Sequence, residues 1–188
     1  MKSFITMLKT ELKLSLRGMD MFIFAICMPI VVLVAIGVIY GNKPAFEGAN
    51  YTFLEQSFGA ITSIAICAGG VMGLPLVVSD YRSKHILKRF KVTPVDPIVI
   101  LLVQVTIYAL YSLVSMISLF LVAKLFFKFN MQGNILNFIL GWLLVMISMF
   151  SIGIMVGGIS KDSKTAGVIA SVLYFPMLIF SGATIPYE

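Results

Sequence analysis

Residues 21–40, 58–78, 98–123, 135–159 and 165–185 contain no Asp, Glu, Lys, Arg or His. Nothing else in the chain constrains its fold so tightly. A hydrocarbon core about 30 Å thick is crossed by about 20 helical residues. A charged residue at the middle of such a helix costs about 2.5 to 3.5 kcal/mol to insert. Five uncharged stretches of that length therefore predict five membrane spans. The basic residues ahead of the first do not make it a secretory signal, because its apolar run exceeds the usual h-region and no A-x-A-like site follows.

Composition agrees. Hydrophobic residues are 60% of the chain and charged residues 12%, about half of the roughly 25% usual in soluble domains. Mean hydropathy is +1.03. A soluble globular domain, a disordered chain, a collagen and a disulfide-stapled secreted fold are all excluded. Cys27 and Cys67 both lie inside apolar runs, which fits neither a zinc site nor an oxidised surface bridge.

The net charge of +6 reads as topology and not as nucleic-acid binding, because of where the charges lie. Lys2, Lys9, Lys13 and Arg17 precede the first span. Arg82, Lys84, Lys88, Arg89 and Lys91 lie between the second and third, and Lys161 and Lys164 between the fourth and fifth. Only Lys43, Lys124 and Lys128 fall in the other connections. Eleven basic residues against three place the N-terminus in the cytoplasm of a multi-pass plasma-membrane protein. Loops 41–57 and 124–134 are then external. The expected architecture is an all-α integral membrane protein, a single domain in which an interfacial helix over 2–18 precedes the five spans.

That first helix follows from periodicity. Phe4, Ile5, Leu8, Leu12 and Leu16 share one face, and Lys2, Thr6, Lys9, Lys13 and Arg17 the other. The leucine face is expected to meet acyl chains and the basic face anionic headgroups. A basic topogenic start that is merely helical is the other reading.

The loop over 79–97 carries the most information. Ser79-Asp80 reads as a helix start, Leu87 and Phe90 recur at a helical interval, and Pro94 and Pro97 end any helix. Lysines and arginines alone would set topology. They give no reason for Ile86, Leu87 and Phe90 to sit among them, where an apolar cluster usually marks a binding surface. Either a partner docks here or the cluster folds back on the bundle.

At this loop the chain resembles the permease subunits of type-2 class ABC exporters, in which an interfacial helix and six spans carry a cytoplasmic coupling loop. The loop has the form acidic-x-Arg, then Leu-Lys-Arg-hydrophobic-x-Val-Thr-Pro. Asp80, Arg82, Leu87, Lys88, Arg89, Phe90, Val92, Thr93 and Pro94 match it. Phe180-Ser181-Gly182, closing on Pro186, is similar to the family's Ser-Gly-x-x-x-Pro stretch, and Lys161-Asp162 to its short cytoplasmic turn. The resemblance implies that the loop docks an ABC ATPase that carries ATP and magnesium. It also implies that a second permease copy or paralogue completes the transporter. Two departures stand out: Ser83-Lys84-His85 lies where many members have Gly, and the chain ends at Glu188 without a sixth span, as a truncated permease would.

On the third span Gln104, Tyr108, Tyr111, Ser115 and Ser118 fall in one stripe that should face protein. It is either part of a substrate path or subunit seam, or interhelical hydrogen bonding that holds the bundle. Gly69-x-x-x-Gly73 and Gly153-x-x-x-Gly157 allow close helix approach. No His-Glu-x-x-His occurs, His85 is the single histidine, the spans hold no acids, and there is no G-x-x-x-x-G-K-[ST] phosphate loop. The chain is therefore expected to have no catalytic residues, no metal and no cofactor of its own. The resemblance implies that its function is to move a lipophilic or amphiphilic substrate out of the cell. The alternative is a non-transporting assembly or immunity factor that binds a partner through the basic loop.

Overall fold

A computed structural model describes residues 2–18, 23–40, 43–45, 51–86, 96–127, 129–131 and 133–181. Helix α1 is Lys2–Gly18. Helix α2, Met28–Tyr40, is entered through a π-helical turn, Ile23–Cys27. Helix α3, Phe53–Cys67, passes through a second π-helical segment, Ala68–Gly73, into α4, Leu74–Ser83. Helices α5 (Pro97–Phe127), α6 (Ile135–Ile159) and α7 (Ser163–Ile179) follow. Among the described residues the sole β pairing is an isolated bridge between Pro44 and Thr52. The protein is an all-α membrane protein.

Among the described residues three helices are long and apolar enough to cross a bilayer: the rod Phe53–Ser83, Ile98–Phe127 and Ile135–Ile159. Ala25–Tyr40 and Ser163–Ile179 are shorter apolar helices. The outermost residues of those two expected spans, 21–22 and 182–185, lie outside the described residues.

Boundaries shift where a cap overrides hydropathy. The second span, read from the sequence as starting at Phe58, begins at Phe53. The Thr52 side chain accepts from Glu55 N–H and Glu55 Oε2 accepts from Thr52 N–H at 2.9 Å, a capping box. Glu55 Oε1 accepts from Asn130 N–H at 3.0 Å, so one carboxylate ties together two connections at the same end. At the other end of this rod Ser79-Asp80 does not start a helix. Ser79 is fully buried and its hydroxyl donates to Leu76 O within α4. A serine back-bonded into its own helix gives the backbone no competing conformation, and the helix runs on to Ser83. It stops at His85, whose φ of +58° is the left-handed region that glycine takes most readily and His tolerates better than most. The expected glycine position of the loop thus carries the backbone glycine would have served.

Both π segments stand just ahead of a proline, Pro29 and Pro75. A proline ring clashes with the carbonyl four residues back and supplies no N–H, and a π turn moves that carbonyl away. Leu74 N–H bonds to Gly69 O, five residues back. The next donor in that register would be Pro75, which has none, so it gives Gly70 O nothing.

The α3–α4 rod is central, with its most apolar stretch 78% buried against 44% for α5 and 22% for α6. Helix α6 packs on it through glycine. A Cβ on Gly153 would overlap the Gly70 carbonyl oxygen, and one on Gly157 would come within 2.7 Å of Val78 Cβ. Such contact lets the backbones touch. The seam uses the predicted Gly153 and Gly157, which meet Gly70 and Val78 of the rod. Toward the Phe53 end, Leu33, Phe58, Ile61, Leu119 and Phe129 form a second region of core.

Helix α1 departs from the expected orientation. Its Phe4, Met7, Leu8 and Leu12 pack against Ala25, Ile26, Val103, Ile107 and Tyr111, so most of the apolar face is spent on protein. Ile5 and Leu16 remain exposed and are free to meet lipid.

Candidate functional site at one end of the bundle

The end of α4, the start of α5, the α6–α7 turn and the flank of α1 converge on one end. There they bound a cleft of about 370 Å³ lined by Glu11, Ser15, Asp80, Tyr81, Gln104 and Ser163, with Leu14, Leu76, Val77 and Tyr108 as apolar wall.

Its centre is a three-way hydrogen-bond set. Tyr81 Oη donates to Glu11 Oε2 at 2.6 Å, and Gln104 Nε2 donates to that oxygen at 3.0 Å and to Tyr81 Oη at 2.9 Å. One turn on, Ser15 Oγ and Tyr111 Oη are 2.9 Å apart. Gln104 and Tyr111, expected to face protein, do so by clasping α1. A hydrogen bond to an ionised group contributes about 1.5 to 3 kcal/mol, enough to fix the register of an otherwise greasy contact. Gln104, Tyr108, Tyr111 and Ser115 are all buried within this one chain. Ser115 Oγ has no hydrogen-bond partner among the described residues, and Ser118 is half-buried.

Asp80 and Arg82, matched to the docking loop, both reach the α6–α7 turn. Asp80 Oδ2 pairs with Lys84 Nζ at 2.8 Å, and its Oδ1 accepts from Ser163 Oγ at 3.4 Å. Arg82 Nη1 donates to the carbonyls of Gly158 and Ser160 at the C-terminus of α6. Unpaired carbonyls and the negative end of the helix dipole both favour a cation there. Asp162 caps α7: its Oδ1 accepts from Thr165 N–H at 2.7 Å. That bond and one from the Thr165 side chain hold its carboxyl below the usual range. Leu87, Lys88, Arg89, Phe90, Thr93 and Pro94 lie outside the described residues.

Sequence reasoning missed Glu11 and Tyr81. The signal for Glu11 was present: it is the one acid of a helix otherwise basic, and it falls with Phe4, Leu8 and Ser15 on the face that packs. No short motif points to Tyr81.

Comparison with known families matches residues 2–188 to the ABC-2 type transporter family. No curated protein and no solved structure matches the chain.

Proposed function

We propose, from the premise that this chain belongs to the ABC-2 type transporter family, that it is the permease of an ATP-driven exporter of lipophilic or amphiphilic substrates. The observation that carries the reading is the match over residues 2–188. The chain is a membrane component of an ABC transporter, and the family works with a separate ABC ATPase. On our reading ATP and magnesium are bound there, a second permease copy or paralogue completes the pathway, and the assembly sits in the plasma membrane with the N-terminus cytoplasmic. Closure of the ATPases pushes on the segment from Asp80 to Pro94. The rod of α3 and α4, continuous with that segment, carries the push into the bundle, and Asp80 and Arg82 pass it to the α6–α7 turn.

The docking role is tested on an ATPase co-purified with the chain. Phe90→Asp, or charge reversal at Lys88 and Arg89 together, should leave abundance near normal and cut ATPase association or stimulation tenfold or more. Unchanged association and export in these variants would remove the docking role and favour the non-transporting alternative. Loss of the protein would mean that Phe90 packs back on the bundle.

Topology has its own test. With Cys27 and Cys67 replaced by Ala, a cysteine at position 47 should react with an impermeant maleimide added to intact cells, and one at position 84 should react only after permeabilisation. The reverse pattern would invert the orientation.

A further inference from the structure

Glu11 is half-buried, and among the described residues it has no basic side chain as partner. Its carboxylate is held by two neutral donors, Tyr81 Oη and Gln104 Nε2. The second acid of the cleft, Asp80, is offset by Lys84. Among the described residues the cleft therefore carries about one negative charge without a basic partner, between the apolar walls of Leu14, Leu76 and Val77. Tyr108, only 3% exposed, lines the same cleft and adds an aromatic surface to its wall. A carboxylate in partly apolar surroundings favours an opposite charge nearby.

The chemistry selects the ligand. No group of three metal-ligating side chains occurs among the described residues, so a bare metal ion would find too few ligands. An anion would meet Glu11 head on. A neutral amphiphile would leave the carboxylate as it is. An organic cation neutralises Glu11, and its apolar surface rests on the leucine, valine and tyrosine walls, where tyrosine faces attract cations further. A volume of about 370 Å³ falls within the range of about 300 to 1,000 Å³ typical of small-ligand sites. Leu14, 63% exposed at the rim, continues the apolar wall outward, so a ligand's chain can stay in lipid while its head enters.

We propose that the cleft between α1, α4 and α5 binds the head of an amphiphilic organic cation taken from the bilayer, with Glu11 as its counter-charge. This deepens the permease reading by naming a substrate class, and it rests on that reading for the direction of movement but not for binding.

The test is equilibrium binding of dodecyltrimethylammonium to the chain in phosphatidylcholine nanodiscs, with protein-free discs subtracted. A saturable site is expected, with no saturable binding of an uncharged dodecyl ethoxylate. Glu11→Gln still accepts from Tyr81 and Gln104 but lacks the charge, and should weaken binding tenfold or more. Leu14→Trp, at an exposed position that the fold does not need, should weaken it similarly by filling the mouth. No saturable site, equal binding of the neutral analogue, or unchanged affinity in Glu11→Gln would overturn the proposal. If Glu11→Gln does not elute as a folded species, Leu14→Trp decides: unchanged binding there overturns it. ATPase association, scored on the same preparations, reports on the permease reading separately.

Discussion

Gly153→Val is expected to remove most of the folded protein from the membrane. The obstacle to a side chain at Gly153 is the Gly70 carbonyl oxygen, a backbone atom that cannot swing aside as a side chain can. Gly70 is itself pinned, since a Cβ there would meet Phe150 Cδ1 at 2.7 Å and the Met149 backbone at 3.2 Å. Inserting methyl groups into a packed interior typically costs about 1 to 3 kcal/mol, occasionally more, and here relief requires parting α6 from the central rod. We expect about 3 kcal/mol or more, a large part of the roughly 5 to 15 kcal/mol that holds a typical native fold. Membrane abundance and thermal unfolding in mild detergent measure it. Gly141→Ala and Gly167→Ala are the controls: a Cβ at either position meets nothing within 4 Å, so changes within about 0.5 kcal/mol are expected. A Gly153→Val protein that melts with these controls would show that the α6 seam yields freely.

The contrast between those glycines also shows where sequence was legible. Spans are legible because insertion energy is a sum over residues, readable without knowing any neighbour. The residues 135–159 stretch coincides with α6 for that reason. The Gly153–Gly157 spacing is legible as a small-residue face, yet its partner Gly70 is not, because pairing two helices needs their relative depth and rotation. Helix ends were misread where local hydrogen bonding overrode hydropathy: Thr52 with Glu55 starts α3 before the apolar run, and Ser79 turns back into α4. The stripe on α5 was correctly placed on a protein-facing side. What it faces, Glu11 and Ser15 of α1, lies more than 90 positions away, and no local pattern encodes such a contact. Glu11 shows the usual reason such residues are overlooked: charge is counted along a helix, whereas function depends on the face that carries it.

Arg82→Ala is expected to lower export tenfold or more while leaving permease abundance and ATPase association near normal. Arg82 is exposed, so its contribution to global stability is small, but on the proposed mechanism its position is one that transmits motion. It stands at the end of α4, where the central rod leads into the proposed docking segment, and bonds the last carbonyls of α6. Removing it takes away a polar link between the last turn of α4 and the end of α6 and leaves the motion to packing such as that of Gly157 on Val78. Two side chains at different places on α4 reach the same turn, Arg82 to the end of α6 and Asp80 to Ser163 at the start of α7. Asp80→Asn should therefore show a weaker defect of the same kind. Arg82→Lys should be intermediate, since an ammonium keeps the charge favoured at a helix C-terminus but sits on a side chain one bond shorter than the one that brings Nη1 to both carbonyls. Export per ATP hydrolysed and ATPase co-purification, measured side by side, separate the two roles open to this arginine. A transmission role predicts lost export with the ATPase still bound. Lost association would instead make Arg82 a docking side chain that touches the ATPase directly. Wild-type export in Arg82→Ala would exclude both.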